Sequence, residues 1–314
     1  MQLVGVMRWR QIGVLLCLVL SSCRAAENPV AAKTQIRISG GGRALVNTYN
    51  EKIQRAAFSN ISTLGYAESA DSVQRGLAEV GITQSDIAYL AFVQGTQMNP
   101  TPHKKLRAMA SLSLAALHLF VRPGSDIRAF KDLRGKKIGV GPVGTGSEAT
   151  VRIVLPKLGI PLSDVGLSLI PFANVPGQLA ARSLDAEFFV DNIPSNQARA
   201  TLSAAEARFV SVEEPAMIKL REEYPFFRPV VIPAGVYGQT EPIKTLGVDT
   251  LMICSEDMDD ELVYQMLNTF FDSLPELAKS YAAYGTITLE QAPGTSIPLH
   301  AGAARFYRER KLFR

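Results

Sequence analysis

The sequence predicts an α/β protein built as two similar lobes, and three observations predict it. Apolar runs of strand length alternate with segments whose apolar residues recur every three or four positions, the pattern of a parallel sheet covered by helices. The 314 residues, less a short leader, amount to about twice the working length of one domain. Two distant segments, QSDIAYLAFV (84–93) and RSLDAEFFVD (182–191), also echo each other, each with an Asp between a helix and an apolar strand. The echo favours two similar lobes over one large sheet.

The leader comes first. Arg8 and Arg10 precede an apolar run from Ile12 to Leu20 that is too short to anchor in a bilayer, so residues 1–22 read as a secretory signal peptide. Leu20-Ser21-Ser22-Cys23 resembles the bacterial lipobox, which implies a lipid on Cys23 and an exported lipoprotein at the periplasmic or cell surface; an ordinary cleavage site is the alternative. Residues 23–33, small, polar and containing Pro29, read as a tether. Beyond residue 22 no apolar segment approaches a membrane helix in length. Cys17 leaves with the leader, so Cys254, inside the apolar run TLMIC, is the one thiol left besides Cys23. That position reads as core, and no disulfide framework is possible. The formal charge of +4 falls to +2 without Arg8 and Arg10, which argues against a nucleic-acid partner. At 47% apolar, the composition is ample for packed cores.

From Gln35 the elements follow in order. QIRIS reads as a strand, 40–43 as a turn, and Val46, Tyr49, Ile53 and Ala57 as one helical face. NISTLGY reads as a second strand, Ser69 as the N-cap of a helix through Val73 and Leu77, and DIAYLAFVQ as a third strand. Arg122-Pro123-Gly124 marks the passage to the other lobe. There KKIGVG reads as a strand, and a helix follows with Val151, Val154, Leu155 and Leu158 as its stripe. LSLIPFAN is then a strand, residues 178–182 a helix, and LDAEFFVDN a strand. The lobes are expected at 34–120 with 235–314, and at 121–234.

The glycine-rich turn GVGPVGTGSE (139–148) carries the chemistry. Gly139, Gly141 and Gly144 spell the dinucleotide pattern, with Asp164 at the distance of a ribose-binding acid. However, Asp164 precedes the second strand instead of ending it, Pro142 interrupts the turn, and no P-loop lysine follows. Thr145 to Glu148 matches a capping box, so the glycines lie against a helix N-terminus. Its free N–H groups and positive dipole end suit a phosphate, sulfate or carboxylate. A purely structural strand-to-helix turn is the bland alternative.

At this point the sequence resembles a family. LRAMASLSLAALHLFVRPGSDIRAFKDLRGKKIGVGPVGTGSE, DAEFF, EEYPFFRPVVIPAGVYG and IPLHAGAARFYRE are similar, in that order, to the TAXI solute-binding proteins, receptors of TRAP transporters. The resemblance spans nearly the whole chain after the leader. It implies a type II periplasmic-binding-protein fold with two α/β lobes, a hinge and a central cleft. It also implies a receptor that delivers a small organic acid or amino acid to a TRAP permease. Two loops depart from the family pattern: 39–45 lacks the expected aromatic pair, and Val190-Asp191-Asn192-Ile193-Pro194 replaces a run of small residues.

Ligands of open α/β sheets bind beyond the carboxyl ends of strands. The candidates are therefore Ser39, Gly40, Gly41 and Arg43; Gln94; Gly144, Thr145, Gly146 and Ser147; and Asp191 and Asn192. Glu68 and Ser69 read as capping residues, His118 as a core histidine, and Tyr237 as a hinge or cleft residue. No metalloprotease or nucleophile-elbow motif is present, and the three histidines lie apart. The expectation is a receptor without enzymatic activity, cofactor or metal. A ligand-sensing surface lipoprotein of the same fold, acting without a permease, is the alternative.

Overall fold

The computed structural model describes residues 33–312; the signal peptide, Cys23 and nearly all of the tether lie outside the described residues. In chain order the elements are β1 (Thr34–Ser39), α1 (Gly42–Lys52), β2 (Ala56–Ile61), α2 (Tyr66–Gln74), β3 (Val80–Gln84), α3 (Ser85–Gln94) and β4 (Leu106–Val121). Next come β5 (Lys137–Gly139), α4 (Gly146–Lys157), β6 (Gly166–Ser168), α5 (Val175–Ala180), β7 (Ala186–Asp191), α6 (Asn196–Ala205) and β8 (Arg208–Phe209). The chain closes with α7 (Glu214–Glu223), β9 (Phe227–Ile232), β10 (Ile243–Ser255), α8 (Asp260–Asp272), α9 (Leu274–Ser280) and α10 (Ala301–Glu309).

The strands form one ten-stranded sheet in the order β2-β1-β3-β10-β4-β7-β5-β6, with β9 on β10 and β8 on β4. Both ends are parallel, while β4 and β10 pair antiparallel at the centre. These two strands, 16 and 13 residues long, each serve both ends of the sheet. The second half of β10 pairs with β3 and its first half with β9; β4 pairs with β7 only from Ala116 onward. Their register shifts between Asp249 and Leu251, where the strands pass from one apolar core to the other. A β-bulge at such a point bends the strand and re-aims its side chains.

One core gathers β1, α1, α8 and α10 around Tyr49, Phe270 and Tyr307. Another gathers β5, α4, β7 and β9 around Phe188 and Phe227. The sheet is therefore continuous in hydrogen bonding, contrary to the expectation of two separate sheets, because two uninterrupted strands run through both cores.

Several local expectations are corrected. DIAYLAFVQ is helix α3, not a strand. Its buried residues Ser85, Asp86, Ile87, Ala88 and Ala91 combine with apolar residues on the other face, which pack against the second core through Tyr89 and Leu90. A helix buried on two sides loses the one-sided periodicity that identifies it. The strand lies just before it, at VGITQ. NISTLGY is mostly loop, since β2 ends at Ile61, and Ala57 belongs to β2 rather than to α1. Ser69 is internal to α2 and buried against Ser39, their hydroxyls 2.6 Å apart. Glu68 accepts the Leu64 amide at 2.5 Å and so does the capping. LSLIPFAN keeps only Leu167 and Ser168 as strand, at the end of β6. Among the described residues no helix is long and apolar enough to cross a membrane.

Candidate functional site

The carboxyl ends of β1 and β3 face the N-terminus of α4 and the end of β7 across a cleft. It has two joined compartments, of about 290 Å³ and about 420 Å³, which share Gly40, Tyr66, Ile82, Asn192, Thr250 and Tyr281. The smaller holds Thr145, Gly146, Ser147 and Asp191; the larger holds Gly41 and Arg43. A hollow of about 610 Å³ lies elsewhere, around the Arg228–Asp249 pair, and contains none of the residues singled out from the sequence.

At the α4 N-terminus, Thr145 is the N-cap, as the sequence predicts. Its Oγ1 accepts from Glu148 N at 3.4 Å and donates to Pro142 O at 2.8 Å. Its proton is therefore already committed. Glu148 reaches back to the Gly144 amide at 2.8 Å, one residue before the cap. Ser147 Oγ accepts from Val190 N at 3.0 Å, which ties α4 to β7 and leaves the hydroxyl proton to donate. The Gly146 and Ser147 amides lie in the first turn, where no intrahelical acceptor exists. Three donors thus converge on the cleft, an arrangement suited to an oxyanion.

Facing them is Gln84, the last residue of β3, which sequence reasoning missed. It is buried, and its Oε1 has no hydrogen-bond partner among the described residues. A Cβ at position 146 would lie 1.4 Å from that oxygen, so only glycine at the start of α4 lets the amide approach. A buried polar atom without a partner costs about 1–3 kcal/mol, and such a group in a cleft is satisfied when a ligand supplies the partner.

Three contacts bring the two cores together around this cleft. A Cβ on Gly65 would meet the Gly144 carbonyl oxygen at 2.1 Å. Asn192 Nδ2 donates to the Tyr281 hydroxyl at 2.8 Å. Below the floor, Thr150 Oγ1 donates to Asp86 Oδ2 at 2.6 Å; complete burial raises the Asp86 carboxyl to about 6, with Thr150 and the Ile87 amide opposing the shift. Tyr281 is raised by burial and then by the Asp191 charge.

The structure gathers Gly40, Gly41, Arg43, Thr145, Gly146, Ser147, Asp191 and Asn192 on the cleft, with Gly144 at its rim against Gly65. Ser39 and Gln94 are not among them. Ser39 is buried below the surface, bonded to Ser69 and Val80 O. Gln94 is exposed at the far end of α3, a full helix length from the strand end on which it was expected. Arg43 and Asp191 lie in different compartments, and among the described residues Arg43 has no ion-pair partner. Asp191 instead accepts from Asn192 N at 2.8 Å and Ser195 Oγ at 2.6 Å. Of the missed residues, Gln84, Gly65 and Tyr66 were hidden by the misplaced second and third strands, whereas Thr250 on β10 and Tyr281 at the end of α9 reach the cleft only through the folded chain.

Tyr237 lines neither compartment. Its hydroxyl accepts from Ser195 N at 2.7 Å and donates to His118 Nε2, 3.1 Å away. His118 Nδ1 in turn donates to Ala116 O at 2.9 Å. The ring stacks on Phe189 at 4.6 Å and burial lowers its pKa to about 4, so it is the neutral core histidine read from the sequence. Together they fix the loop carrying Asp191 and Asn192 to β4. Asp164 makes an ion pair with Arg134 at 3.6 Å, away from the glycine turn.

The family model of the NMT1-like family matches residues 41–310, a span that includes every cleft residue except Gly40. The chain belongs to the NMT1-like family. Two structures of XAC2383 from Xanthomonas citri, bound to ATP and to a chloride ion, share the fold. Their TM-scores are 0.57 and 0.52 at 10% and 12% identity, each covering 89% of this chain and 98% of the other. The alkanesulfonate-binding protein SsuA from Xanthomonas axonopodis pv. citri, bound to MOPS, matches with a TM-score of 0.48 at 18% identity, over 90% of this chain and 96% of its own. The mixed α/β class expected from the sequence is thus the class of this NMT1-like chain.

Proposed function

We propose that the chain is an extracytoplasmic solute receptor that captures a small organic acid or amino acid in this cleft and delivers it to a TRAP-type membrane permease. The observation that carries the reading is the buried Gln84 Oε1, without a hydrogen-bond partner among the described residues, facing the open donors of Gly146 and Ser147. The ligand carboxylate sits on those donors. A second polar group, an amine or hydroxyl, satisfies Gln84 Oε1 and the remaining lone pairs of Asp191, while Arg43 reads the far end from the larger compartment. The lobes are 34–120 with 235–314, and 121–234; β4 and β10 join them as the hinge. Closure favours the liganded form only through contacts that both lobes make with the solute. The TAXI-like motifs support the permease class, and the leader with Cys23 supports export and a lipid anchor.

The test is to denature the purified protein and identify released small molecules by mass spectrometry, then to measure their rebinding by calorimetry. A carboxylic acid bound one to one, with Arg43→Ala changing which acids bind, is the expected result. No released solute, and no binding across a panel of amino and hydroxy acids, overturns it.

A further inference from the structure

Gln84, Ser85 and Asp86 form a polar run at the start of α3, all three buried, and α3 is wedged between the second core and a smaller apolar cluster of α2, β4 and β10 residues around Val73, Leu106 and Leu251. Gln84 Oε1 and Ser85 Oγ have no hydrogen-bond partner among the described residues. Asp86 has only neutral donors: the Ile87 amide at 2.8 Å on its own helix and Thr150 Oγ1 on α4, across the boundary between the cores.

Among the described residues no cation compensates it. On α4, Glu148 pairs with Arg152 and Lys157 with Glu223. On β10, Asp249 pairs with Arg228. On α2, Asp71 bonds His103 and Thr96, Glu68 bonds the Leu64 amide, and Tyr66 senses the Asp86 charge. No titratable residue lies on β3. A carboxylate enclosed without a cation is penalised by lost hydration, whereas its protonated form is not.

We infer that closure of the two lobes over the cleft is coupled to proton uptake by Asp86, so that acid favours the closed receptor. This rests on the receptor reading, which supplies the opening motion. In an open form water reaches Asp86 and its carboxyl returns toward 3.8; in the closed form burial holds it near 6. The closed state therefore binds the proton more tightly. Its advantage is complete below the lower value and is lost as pH rises through about 6. A difference of about two units corresponds to roughly a hundredfold change in the closed-to-open ratio between pH 4 and pH 7. The unpartnered Gln84 and Ser85 act in the same sense, disfavouring closure until other groups satisfy them.

Small-angle X-ray scattering of the full, solute-free chain from pH 4.5 to 8 tests this. The wild type is expected to be compact near pH 5 and expanded at pH 7.5, with a midpoint near 6. Asp86→Asn should stay compact and independent of pH. Thr150→Val removes a donor to the carboxylate and should move the midpoint upward; it keeps the test decisive should Asp86→Asn fail to fold. An expansion equal at all pH values, or one whose pH dependence survives in Asp86→Asn or keeps its midpoint in Thr150→Val, overturns the proton coupling alone. A chain that remains at the compact radius at every pH and in every variant has no opening motion, and the receptor reading fails with it.

Discussion

Gly65→Ala separates closure from folding. Gly65 has φ 170° and ψ −174°, an extended conformation open to any residue, so alanine adds no backbone strain. The new methyl meets the Gly144 carbonyl oxygen at 2.1 Å, against the 3.0 Å below which real Cβ contacts essentially never occur. Relieving it requires the two loops to part by about 1 Å, and overpacking of this kind costs about 1–3 kcal/mol. Because the clash exists only where the loops meet, that cost falls on the closed, ligand-bound form. Affinity for the co-purifying solute should drop about 5- to 150-fold, read by calorimetry, with the solute-free protein still folded by circular dichroism. Gly177→Ala, where a Cβ has open space, serves as the control and should bind as wild type. Unchanged affinity in Gly65→Ala would show that binding does not need these loops to touch, and the closed-cleft reasoning would fail.

The other predictions concern the same groups. Gln84→Leu removes an unpartnered buried atom, so it should hold or raise the thermal midpoint while weakening solute binding roughly ten- to a hundredfold; a loss of stability with affinity intact would return Gln84 to a structural role. Ser147→Ala should weaken binding by a similar factor. Thr145→Ala, whose proton is committed to Pro142, should instead cost about 1 kcal/mol of stability as a lost helix cap, so equal affinity losses in both would contradict the assignment. Burial raises Glu187 from 4.5 to about 7 against the hydrogen bonds of Thr201 and Gln197, so the folded state keeps a proton that the unfolded chain has released. The stability this gives at pH 5 is lost as pH rises through 7, amounting to about 2 to 3 kcal/mol by pH 8. Denaturant unfolding of Glu187→Gln at the two pH values should show that difference largely removed, and an undiminished difference would assign the pH dependence to other groups.

What the sequence made legible followed from local rules. The capping box at Thr145 and the 151–158 stripe located α4, because a one-sided amphipathic helix with a side-chain cap announces itself. The apolar run 186–190 located β7, and with it the loop holding Asp191 and Asn192. The region 56–94 was hidden by burial on both faces. α3 packs on the second core on one side and on a smaller apolar cluster around Val73 and Leu251 on the other, so DIAYLAFVQ carries no polar stripe and reads as a strand, which displaced the expected contact from Gln84 to Gln94. Had VGITQ been taken as the strand, the rule that ligands lie just past strand ends would have pointed to Gln84. The continuity of the sheet was also out of reach, since it depends on β4 and β10 pairing across about 130 residues of intervening sequence, and no local pattern records that. The pairing of Asn192 with Tyr281 and of Gly65 with Gly144 is likewise a product of the folded chain alone.

A crystal structure of the protein with its co-purified solute tests the central claim most directly. The account predicts a carboxylate within hydrogen-bond distance of the Gly146 and Ser147 amides and Ser147 Oγ, with a donor group of the same molecule on Gln84 Oε1. A solute bound outside the cleft, or one in the cleft that leaves Gln84 and the α4 N-terminus untouched, would contradict it.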